Sequence, residues 1–234
     1  MNNGKLYLIP SILGKETQEH TLPSSILDAI QKTNIFIVEN LRTARRYIRL
    51  VDKEKDINSI IFYSYGKHDN LDLEKTLLTH ILLGENVGLI SEAGLPCIAD
   101  PGSEVVKYAH NFQIDVIPLV GPSSILLALM SSGLNGQNFA FNGYLPIDKS
   151  RRKKSIKELE EKVRKTKQTQ IFMETPYRNN QLIESILAIC NNNTRLCIAS
   201  NITMESENIK TKTISEWKQK KINLHKNPTI FLIG

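Results

Sequence analysis

The sequence predicts an α/β protein with two domains, the first built on a parallel sheet and the second on a mixed sheet. Through the first half of the chain, short and almost continuously apolar runs alternate with helix-forming segments. Such runs are typical of strands covered by helices on both faces, and strand–helix–strand alternation predicts parallel strands. A Gly121-Pro122-Ser123 break then interrupts the pattern. We therefore expect an N-terminal α/β domain at 1–120 and a C-terminal α/β domain at 121–234.

The first domain is expected to alternate strands and helices regularly. Its helices are predicted from apolar residues that recur at spacings of three and four, most clearly in 71–83. Strands are expected at 5–10, 34–39, 59–64, 86–91 and 114–119, and helices at 24–32, 41–51, 71–83 and 103–112.

The second domain is expected to differ in its last part. Strands are predicted at 139–144, 169–174, 195–201, 209–214 and 229–233, and helices at 150–165 and 179–190. The last three strands follow one another through short connections, and we expect no helix between them. Consecutive strands of this kind pair in antiparallel fashion, so the pattern predicts a mixed sheet.

Composition narrows the class of protein. With 41% hydrophobic and 23% charged residues, the 234-residue chain is expected to fold rather than remain disordered. The most apolar window, 114–130, contains Asp115 and the Gly121-Pro122 pair, so we expect neither a membrane span nor, from the N-terminal residues, a signal peptide. Three cysteines without a C-x-x-C pair and five scattered histidines predict no disulfide framework, no bound metal and a cytoplasmic location.

Charge is distributed unevenly along the chain. Residues 1–117 carry 12 Lys and Arg against 15 Asp and Glu, a net −3, whereas residues 118–234 carry 18 against 9, a net +9. The predicted helix at 150–165 begins with a basic run that no acidic residue interrupts. We interpret this run as a contact for RNA phosphates, and the alternative is a solvated helix face. The run consists of Arg151, Arg152, Lys153 and Lys154.

Three predicted strand-end loops are candidates for a ligand site. In an open parallel sheet, ligands bind beyond the carboxyl ends of the strands. The loops at 10–14, 91–102 and 120–125 are rich in small residues and prolines, which let backbone groups approach a ligand closely in a fixed shape. No G-x-G-x-x-G follows the first strand and no P-loop motif is present, which disfavours a dinucleotide or P-loop nucleotide site.

These loops, with segments of the second half, resemble the tetrapyrrole-methylase superfamily, specifically the branch that methylates small-subunit ribosomal RNA. Residues 91–102, S-E-A-G-L-P-C-I-A-D-P-G, resemble the signature S-D-A-G-T-P-G-I-S-D-P-G of that branch. Similar matches run in order over nearly the whole chain. They are 4–10 with the opening strand and loop, 120–124 with G-P-S-A, 141–146 and the following Arg151-Arg152 with F-x-G-F-L-P and a basic stretch, and 174–178 with E-S-P-H-R.

The resemblance implies a homodimeric methyltransferase that uses S-adenosylmethionine and methylates the 2′-oxygen of a ribose in ribosomal RNA. It also implies that the cofactor lies in a cleft between the two α/β domains. The cofactor-binding residues that it implies are Pro10, Glu92, Ala93, Gly94, Leu95, Ile98, Ser123, Ser124, Ile125, Met173, Pro228 and Thr229.

Methylation of a hydroxyl also requires removal of its proton, so a nearby base assists the reaction. The candidate bases are Glu39, Asp100 and Glu174, each at or just beyond a predicted strand end. Glu39 is equally placed to cap the following helix. Arg42 and Arg178 are candidates for orienting a phosphate or carboxylate of the substrate, and the alternative for both is a surface ion pair.

The chain departs from the pattern of the RNA-methylating branch at several positions. Asn40 and Leu41 interrupt E-D-T-R, Leu95 replaces the Thr of A-G-T-P, and Tyr177 replaces the His of E-S-P-H-R. Met204 and Ser206 occupy the Lys and His positions of L-T-K-x-H-E-E. These departures leave two other hypotheses open: methylation of a tetrapyrrole or another small molecule, and a cofactor-binding protein without turnover.

Overall fold

The computed structural model of the chain describes residues 3–65 and 71–234. Internal contacts divide the chain into two compact units, Met1–Ser123 and Ser124–Gly234, with the break at the end of the Gly121-Pro122-Ser123 segment. Each unit contains one five-stranded sheet. The predicted α/β class is therefore confirmed, because each unit combines one sheet with helices.

The first sheet has the strand order β3-β2-β4-β1-β5, and every pairing in it is parallel, as predicted. Its central strands β2 and β4 are buried along their whole length because helices cover both faces of the sheet. The strands are β1 Leu6–Ile9, β2 Ile35–Val38, β3 Ile61–Ser64, β4 Val87–Ile90 and β5 Val116–Pro118.

The helices of the first unit pack on the sheet in two groups. One face carries α2 and α3 and the other carries α4 and α5, each through its buried apolar residues. The helices are α1 Gln18–Thr21, α2 Ser24–Gln31, α3 Leu41–Val51, α4 Thr79–Leu82 and α5 Ser103–Asn111.

The single helix predicted at 71–83 is wrong in part, because its first half is wound as a π-helix, Glu74–Leu78, and only Thr79–Leu82 is α-helical. The hydroxyl of Thr79 donates to the backbone carbonyl of Glu74, five residues earlier (2.9 Å). The hydroxyl of Thr76 donates to the backbone carbonyl of Asp72 (2.6 Å). Such side-chain hydrogen bonds compete with the regular helical pattern, which accounts for the wider turn.

The second sheet has the order β6-β7-β10-β8-β9. The pair β6–β7 is parallel and the other three pairs are antiparallel, which confirms the predicted mixed sheet. The strands are β6 Phe139–Tyr144, β7 Thr169–Met173, β8 Arg195–Ser200, β9 Asn208–Thr213 and β10 Thr229–Ile233, and the helices are α6 Ser124–Ser132, α7 Lys149–Thr166, α8 Asn179–Ile189 and α9 Ile214–Lys218. Within the described ranges of both units, no helix combines the length and hydropathy of a membrane span.

The expectation that no helix interrupts the last three strands is wrong, because α9 lies between β9 and β10. The helix begins with a capping box in which the hydroxyl of Thr213 accepts from the backbone of Glu216, while the Glu216 carboxylate accepts from the backbone of Thr213. Trp217 anchors the helix by donating its indole N–H to the carbonyl of Leu196 (2.9 Å). One buried tryptophan and one cap therefore stabilise a helix of only five residues.

Helix α6 packs on one face of the second sheet, and α7, α8 and α9 pack on the opposite face. Its C-terminal end is fixed by two contacts: the hydroxyl of Thr211 donates to the carbonyl of Ser132 (2.7 Å), and Leu134 lies against Gly234. Gly234 directly follows β10, so the C-terminal end of α6 lies at the end of the sheet where β10 ends.

Candidate active site

The loops after β1 and β4 are joined through their backbones at the carboxyl edge of the first sheet. The amide of Ser11 donates to the carbonyl of Gly94 (2.8 Å), and the amide of Gly94 donates to the carbonyl of Ser11 (3.2 Å). The Ser91 hydroxyl also donates to the Gly94 carbonyl (2.6 Å). Gly94 has a φ of +72°, in the left-handed region that favours glycine.

The loop after β5 packs against the loops after β1 and β4. A Cβ atom placed on Gly121 would lie 2.2 Å from the Cβ and 2.5 Å from the Cγ of Pro10. A Cβ atom on Gly94 would lie 3.1 Å from the carbonyl oxygen of Pro122. The three loops singled out in the sequence are thus in direct contact, and two glycines make the contact possible.

Helix α3 supports these loops from one side. The phenol of Tyr47 donates a hydrogen bond to the carbonyl of Pro10, and the hydroxyl of Thr43 donates to the carboxylate of Glu92. Burial raises the pKa of Tyr47 far above its usual range, so the phenol remains a hydrogen-bond donor. Neither residue was expected at the site from the sequence. Their spacing of four, on one face of α3, is the signal that points to a shared role.

Glu39 follows β2, which pairs with β4, so its half-buried side chain belongs to the same edge of the sheet. The hypothesis that Glu39 caps the next helix is wrong, because Asn40 is the N-cap. The side chain of Asn40 accepts from the amides of Arg42 (2.9 Å) and Thr43 (3.3 Å). Asn is as good a cap as the Asp of the family pattern, so this departure preserves the helix start. Arg42 lies exposed in the first turn.

The 91–102 loop is tightly wound, with positive φ angles at Gly94, Cys97, Ala99 and Gly102. Burial, followed by the negative charge of Asp100, raises the pKa of the Cys97 thiol, which places the Asp100 carboxylate near Cys97. The loop buries Gly94 but leaves Ile98 half exposed, at 50%. Its other predicted ligand contacts are Glu92 and Ala93, which are exposed, and Leu95, which is half-buried.

The predicted cofactor residues of the second unit share one end of its sheet. Met173 ends β7 and pairs with Ile230, the second residue of the antiparallel β10. The amide of Asn201 donates to the carbonyl of Pro228 (2.9 Å), and the hydroxyls of Thr229 and Ser200 are 3.1 Å apart. The predicted contacts Ser124 and Ile125 begin α6, which packs against the same sheet.

Glu174 and Arg178 form an ion pair, as the alternative for Arg178 supposed, but the pair is partly buried rather than on the surface. The buried Glu174 carboxylate accepts from the guanidinium of Arg178 (2.6 Å) and from the amide of Thr175 (2.7 Å). The hydrogen bond to Glu174 raises the pKa of Arg178. The Oε1 atom of Glu174 therefore already accepts two hydrogen bonds from its own unit.

The basic run at the start of α7 is only partly available to a ligand. Arg152 is 6% exposed, and its guanidinium donates to the hydroxyl of Ser185 (3.1 Å) and the carbonyl of Ile147 (2.9 Å). This burial corrects the prediction that Arg152 contacts RNA, because the side chain holds α7 against α8. Arg151, Lys153 and Lys154 are exposed, and Lys154 lies 4.0 Å from Glu158.

The departures from the family pattern lie in exposed or half-buried positions. Tyr177 is 68% exposed and packs edge-on against His225, with ring centroids 5.8 Å apart. Met204 is half-buried, and Ser206 accepts a hydrogen bond from the side-chain amide of Asn201 (3.1 Å). Across residues 3–65 and 71–234, no three His, Cys, Asp or Glu side chains are grouped as metal ligands.

Comparisons with known proteins agree with this arrangement. The ribosomal RNA small subunit methyltransferase I of Escherichia coli O157:H7 is 27% identical, over 99% of this chain and 78% of its own length. The enzyme of that name from Bacillus subtilis is 29% identical, over 91% of this chain and 68% of its own length. The solved structure of uroporphyrin-III C-methyltransferase from Thermus thermophilus, complexed with S-adenosyl homocysteine, shares the fold, with a TM-score of 0.56 and 16% identity over 99% of this chain and 97% of that one.

The family model of the tetrapyrrole (corrin/porphyrin) methylases matches residues 13–218, which include the 91–102 loop and the Gly121-Pro122-Ser123 segment. That match includes β2 to β9, so it covers strands of both sheets. The chain therefore belongs to the tetrapyrrole methylase family and is a methyltransferase.

Proposed function

We propose that the chain transfers the methyl group of S-adenosylmethionine to a ribose 2′-hydroxyl of small-subunit ribosomal RNA. The observation that carries the methyl donor is the contact among the loops after β1, β4 and β5, made by the Ser11–Gly94 bridge and by Gly121 against Pro10. The names of the curated relatives, which match the chain over 99% and 91% of its length, support the RNA acceptor.

The joined loops of the first unit fit the chemical groups of the methyl donor. S-adenosylmethionine presents an adenine for apolar contact, ribose hydroxyls for a carboxylate, and an amino-acid end for backbone groups. The loops leave the apolar side chains of Ile98 and Val120 50% and 74% exposed, and the exposed Glu92 belongs to the same loop as Ile98. We propose Pro10, Glu92, Ala93, Gly94, Leu95, Ile98 and Ser123 as its contacts in this unit. In the second unit, Ser124, Ile125, Met173, Pro228 and Thr229 stay predictions from the resemblance.

When bound, S-adenosylmethionine supplies a methyl group that its sulfonium has already activated, so the contribution of the chain is alignment and proton removal. As the methyl carbon bonds to the ribose oxygen and leaves the sulfur, the proton of the hydroxyl passes to a base. Glu39 and Asp100 are the proposed bases, because they follow β2 and β4, which lie side by side in the sheet. Arg42, in the first turn of α3, is proposed to orient a substrate phosphate.

A tetrapyrrole or another small molecule is the second candidate acceptor, favoured by the family model and by the fold shared with a uroporphyrin-III methyltransferase. A binding protein without turnover is the third candidate, motivated by Met204 and Ser206. All three candidates share the methyl-donor site. They differ in whether a methyl group is transferred and in the molecule that receives it.

The test supplies methyl-labelled S-adenosylmethionine to the purified protein, together with small ribosomal subunits from a strain that lacks the gene. Nucleosides are then analysed by liquid chromatography and mass spectrometry. We expect one 2′-O-methylated nucleoside to appear. Labelling of a uroporphyrinogen instead of RNA would establish the small-molecule function, and binding without any transfer would establish the third candidate.

Variants identify the base. Asp100→Asn and Glu39→Gln are each compared with Glu104→Gln, an exposed carboxylate in the first turn of α5. Loss of a catalytic base lowers kcat by about 10²- to 10⁴-fold while leaving the affinity for the methyl donor unchanged. A normal kcat in both Asp100→Asn and Glu39→Gln would exclude a protein carboxylate of this unit as the base.

The proposal extends to location, assembly and metal use. We propose a cytoplasmic location, as the cysteine usage predicts, and a homodimer, which the family resemblance favours and light scattering on the purified protein would measure. We propose that no metal takes part. Treatment with EDTA is therefore expected to leave the calorimetric affinity for S-adenosylmethionine unchanged, and a loss of affinity that a metal restores would contradict this.

A further inference from the structure

The outer face of α3 carries a row of four arginines. Helix Leu41–Val51 contains no acidic residue, and Arg42, Arg45, Arg46 and Arg49 recur at spacings of three and four, which places them on one face. All four are exposed, whereas Ala44, Tyr47 and Ile48 on the opposite face are buried. We refer to the four residues as the arginine stripe.

Acidic side chains of the described part of the chain do not neutralise the stripe. Within residues 3–65 and 71–234, none of its guanidinium groups forms an ion pair, although cations on other helices do, such as Lys107 with Glu104 and Arg164 with Glu161. Arg45 lies over the ring of Phe62, 5.4 Å from its centroid, and the Nε of Arg46 donates to the carbonyl of Arg42 (3.4 Å). These contacts orient two of the side chains but leave their charge uncompensated.

This arrangement opposes the stability of the helix itself. Like charges at spacings of three and four repel one another along a helix, and a cation in the first turn, such as Arg42, is unfavourable to the helix dipole. Surfaces that need only to be soluble intersperse both signs of charge. A local rule that is broken without structural compensation is typical of a functional surface.

The helix that carries the stripe is also the helix that supports the candidate active site. Two residues of α3 that lie between the arginines in sequence reach the loops. Thr43 hydrogen-bonds to Glu92 in the loop after β4, and Tyr47 hydrogen-bonds to Pro10 in the loop after β1. The N-cap of the helix, Asn40, follows the end of β2 by two residues, so the helix starts at the same edge of the sheet. A ligand bound along the stripe is therefore held beside these loops.

We propose that the arginine stripe binds the phosphate backbone of the RNA substrate and guides it toward the loops after β1 and β4. Guanidinium groups match phosphate in charge and geometry, and the stripe extends about 10 Å along the helix. The apolar face of α3 that carries Ala44, Tyr47 and Ile48 is buried in the core, which disfavours insertion of this helix into a membrane. This inference rests on the proposed function and concerns how that function recognises its substrate.

The test compares two variants with the same change in charge in the same unit. One is Arg45→Gln, Arg46→Gln and Arg49→Gln, and the control is Lys15→Gln, Lys32→Gln and Lys107→Gln, all exposed. Binding of a fluorescent small-subunit RNA transcript is measured by anisotropy over a range of salt concentrations. Each lost phosphate contact reduces the slope of log K against log salt by about 0.7 to 0.9, so the stripe variant is expected to lose roughly 2 to 3 of that slope. The control is expected to keep it.

Further readouts separate recognition from folding and catalysis. The stripe variant is expected to raise KM for RNA without changing kcat or the affinity for S-adenosylmethionine. Its Tm should change little, because removal of like-charge repulsion offsets the lost contact between Arg45 and Phe62. The charge-conserving variant Arg45→Lys, Arg46→Lys and Arg49→Lys should keep most of the salt slope.

The outcomes distinguish this inference from the proposed function. If the parent protein methylates ribosomal RNA and the stripe variant keeps the same KM and salt slope, the stripe proposal is overturned and the proposed function stands. Equal losses in the stripe variant and the control would also overturn it, because any positive charge would then serve. If the parent protein neither binds nor methylates RNA, both the proposed function and the stripe proposal are wrong. If the stripe binds only acidic protein and no RNA, the stripe proposal is wrong.

Discussion

Substitution of Gly121 by Ala tests whether the loops after β1 and β5 must meet without a side chain between them. The new Cβ atom would lie 2.2 Å from the Cβ of Pro10, whereas carbon atoms pack at about 3.5 to 4.0 Å. Pro10 cannot turn aside, because its ring fixes the backbone and its carbonyl is bound by Tyr47. Gly121 is not among the glycines with positive φ, so the expected effect is steric alone.

Such overpacking destabilises a protein by about 1 to 3 kcal/mol. A protein of this size loses about 2 to 4 °C of Tm for each kcal/mol, so we expect Tm to fall by roughly 2 to 12 °C. Displacement of the two loops should also weaken binding of S-adenosylmethionine by at least about tenfold, which corresponds to about 1.4 kcal/mol. Thermal denaturation followed by circular dichroism and titration calorimetry would measure the two effects.

Gly136→Ala provides a matched control. A Cβ atom at Gly136 would meet nothing within 4 Å, and this glycine has no positive φ either. The substitution is expected to leave the methyl-donor affinity unchanged and to alter the free energy of unfolding by less than about 1 kcal/mol. If Gly121→Ala behaved like Gly136→Ala in both measurements, the steric argument for the loop contact would be wrong.

Tyr47→Phe leaves the buried carbonyl of Pro10 without its donor, so the free energy of unfolding should fall by about 1 to 3 kcal/mol in urea denaturation; an unchanged value would contradict the supporting role of α3. Arg152→Gln should destabilise the protein by a similar amount, because it breaks buried hydrogen bonds, while Arg151→Gln on the exposed face should have little effect. Equal stabilities would refute the assignment of Arg152 to the interior. Burial raises the pKa of Cys190 to about 12, so at pH 8 the thiol stays protonated and alkylation in the native state should be much slower than after unfolding. Rapid native-state labelling, measured by mass spectrometry, would show that the thiol is accessible.

The elements that the sequence predicted best are those whose signal is local. The bounds of α3, β6 and β10 agree with the predicted ones, since apolar periodicity and flanking polar residues are sufficient to define them. Helix α9 and the π-helix were missed. Both are short, and both depend on individual contacts, the packing of Trp217 in one case and the hydroxyl of Thr79 in the other.

Charge shows the same limit within single helices. Averaged over residues 1–117, the net −3 conceals the arginine stripe, which becomes visible only when charge is mapped onto helical periodicity. The same mapping would have identified Arg152, which precedes Ile156 and Leu159 by four and seven residues and so shares their buried face. Adjacent basic residues are alike in sequence, and their position around the helix axis decides which of them contacts solvent.

The sequence by itself determined the alternation of strands and helices, the parallel and mixed sheets, and the three strand-end loops, because each depends on residues close together in the chain. Only the tertiary structure decided which side chains support those loops. The hydrogen bonds from Tyr47 to Pro10 and from Thr43 to Glu92 join residues 37 and 49 positions apart. Contacts at such separations depend on the spatial order of the strands in the sheet, and no local pattern in the sequence encodes that order.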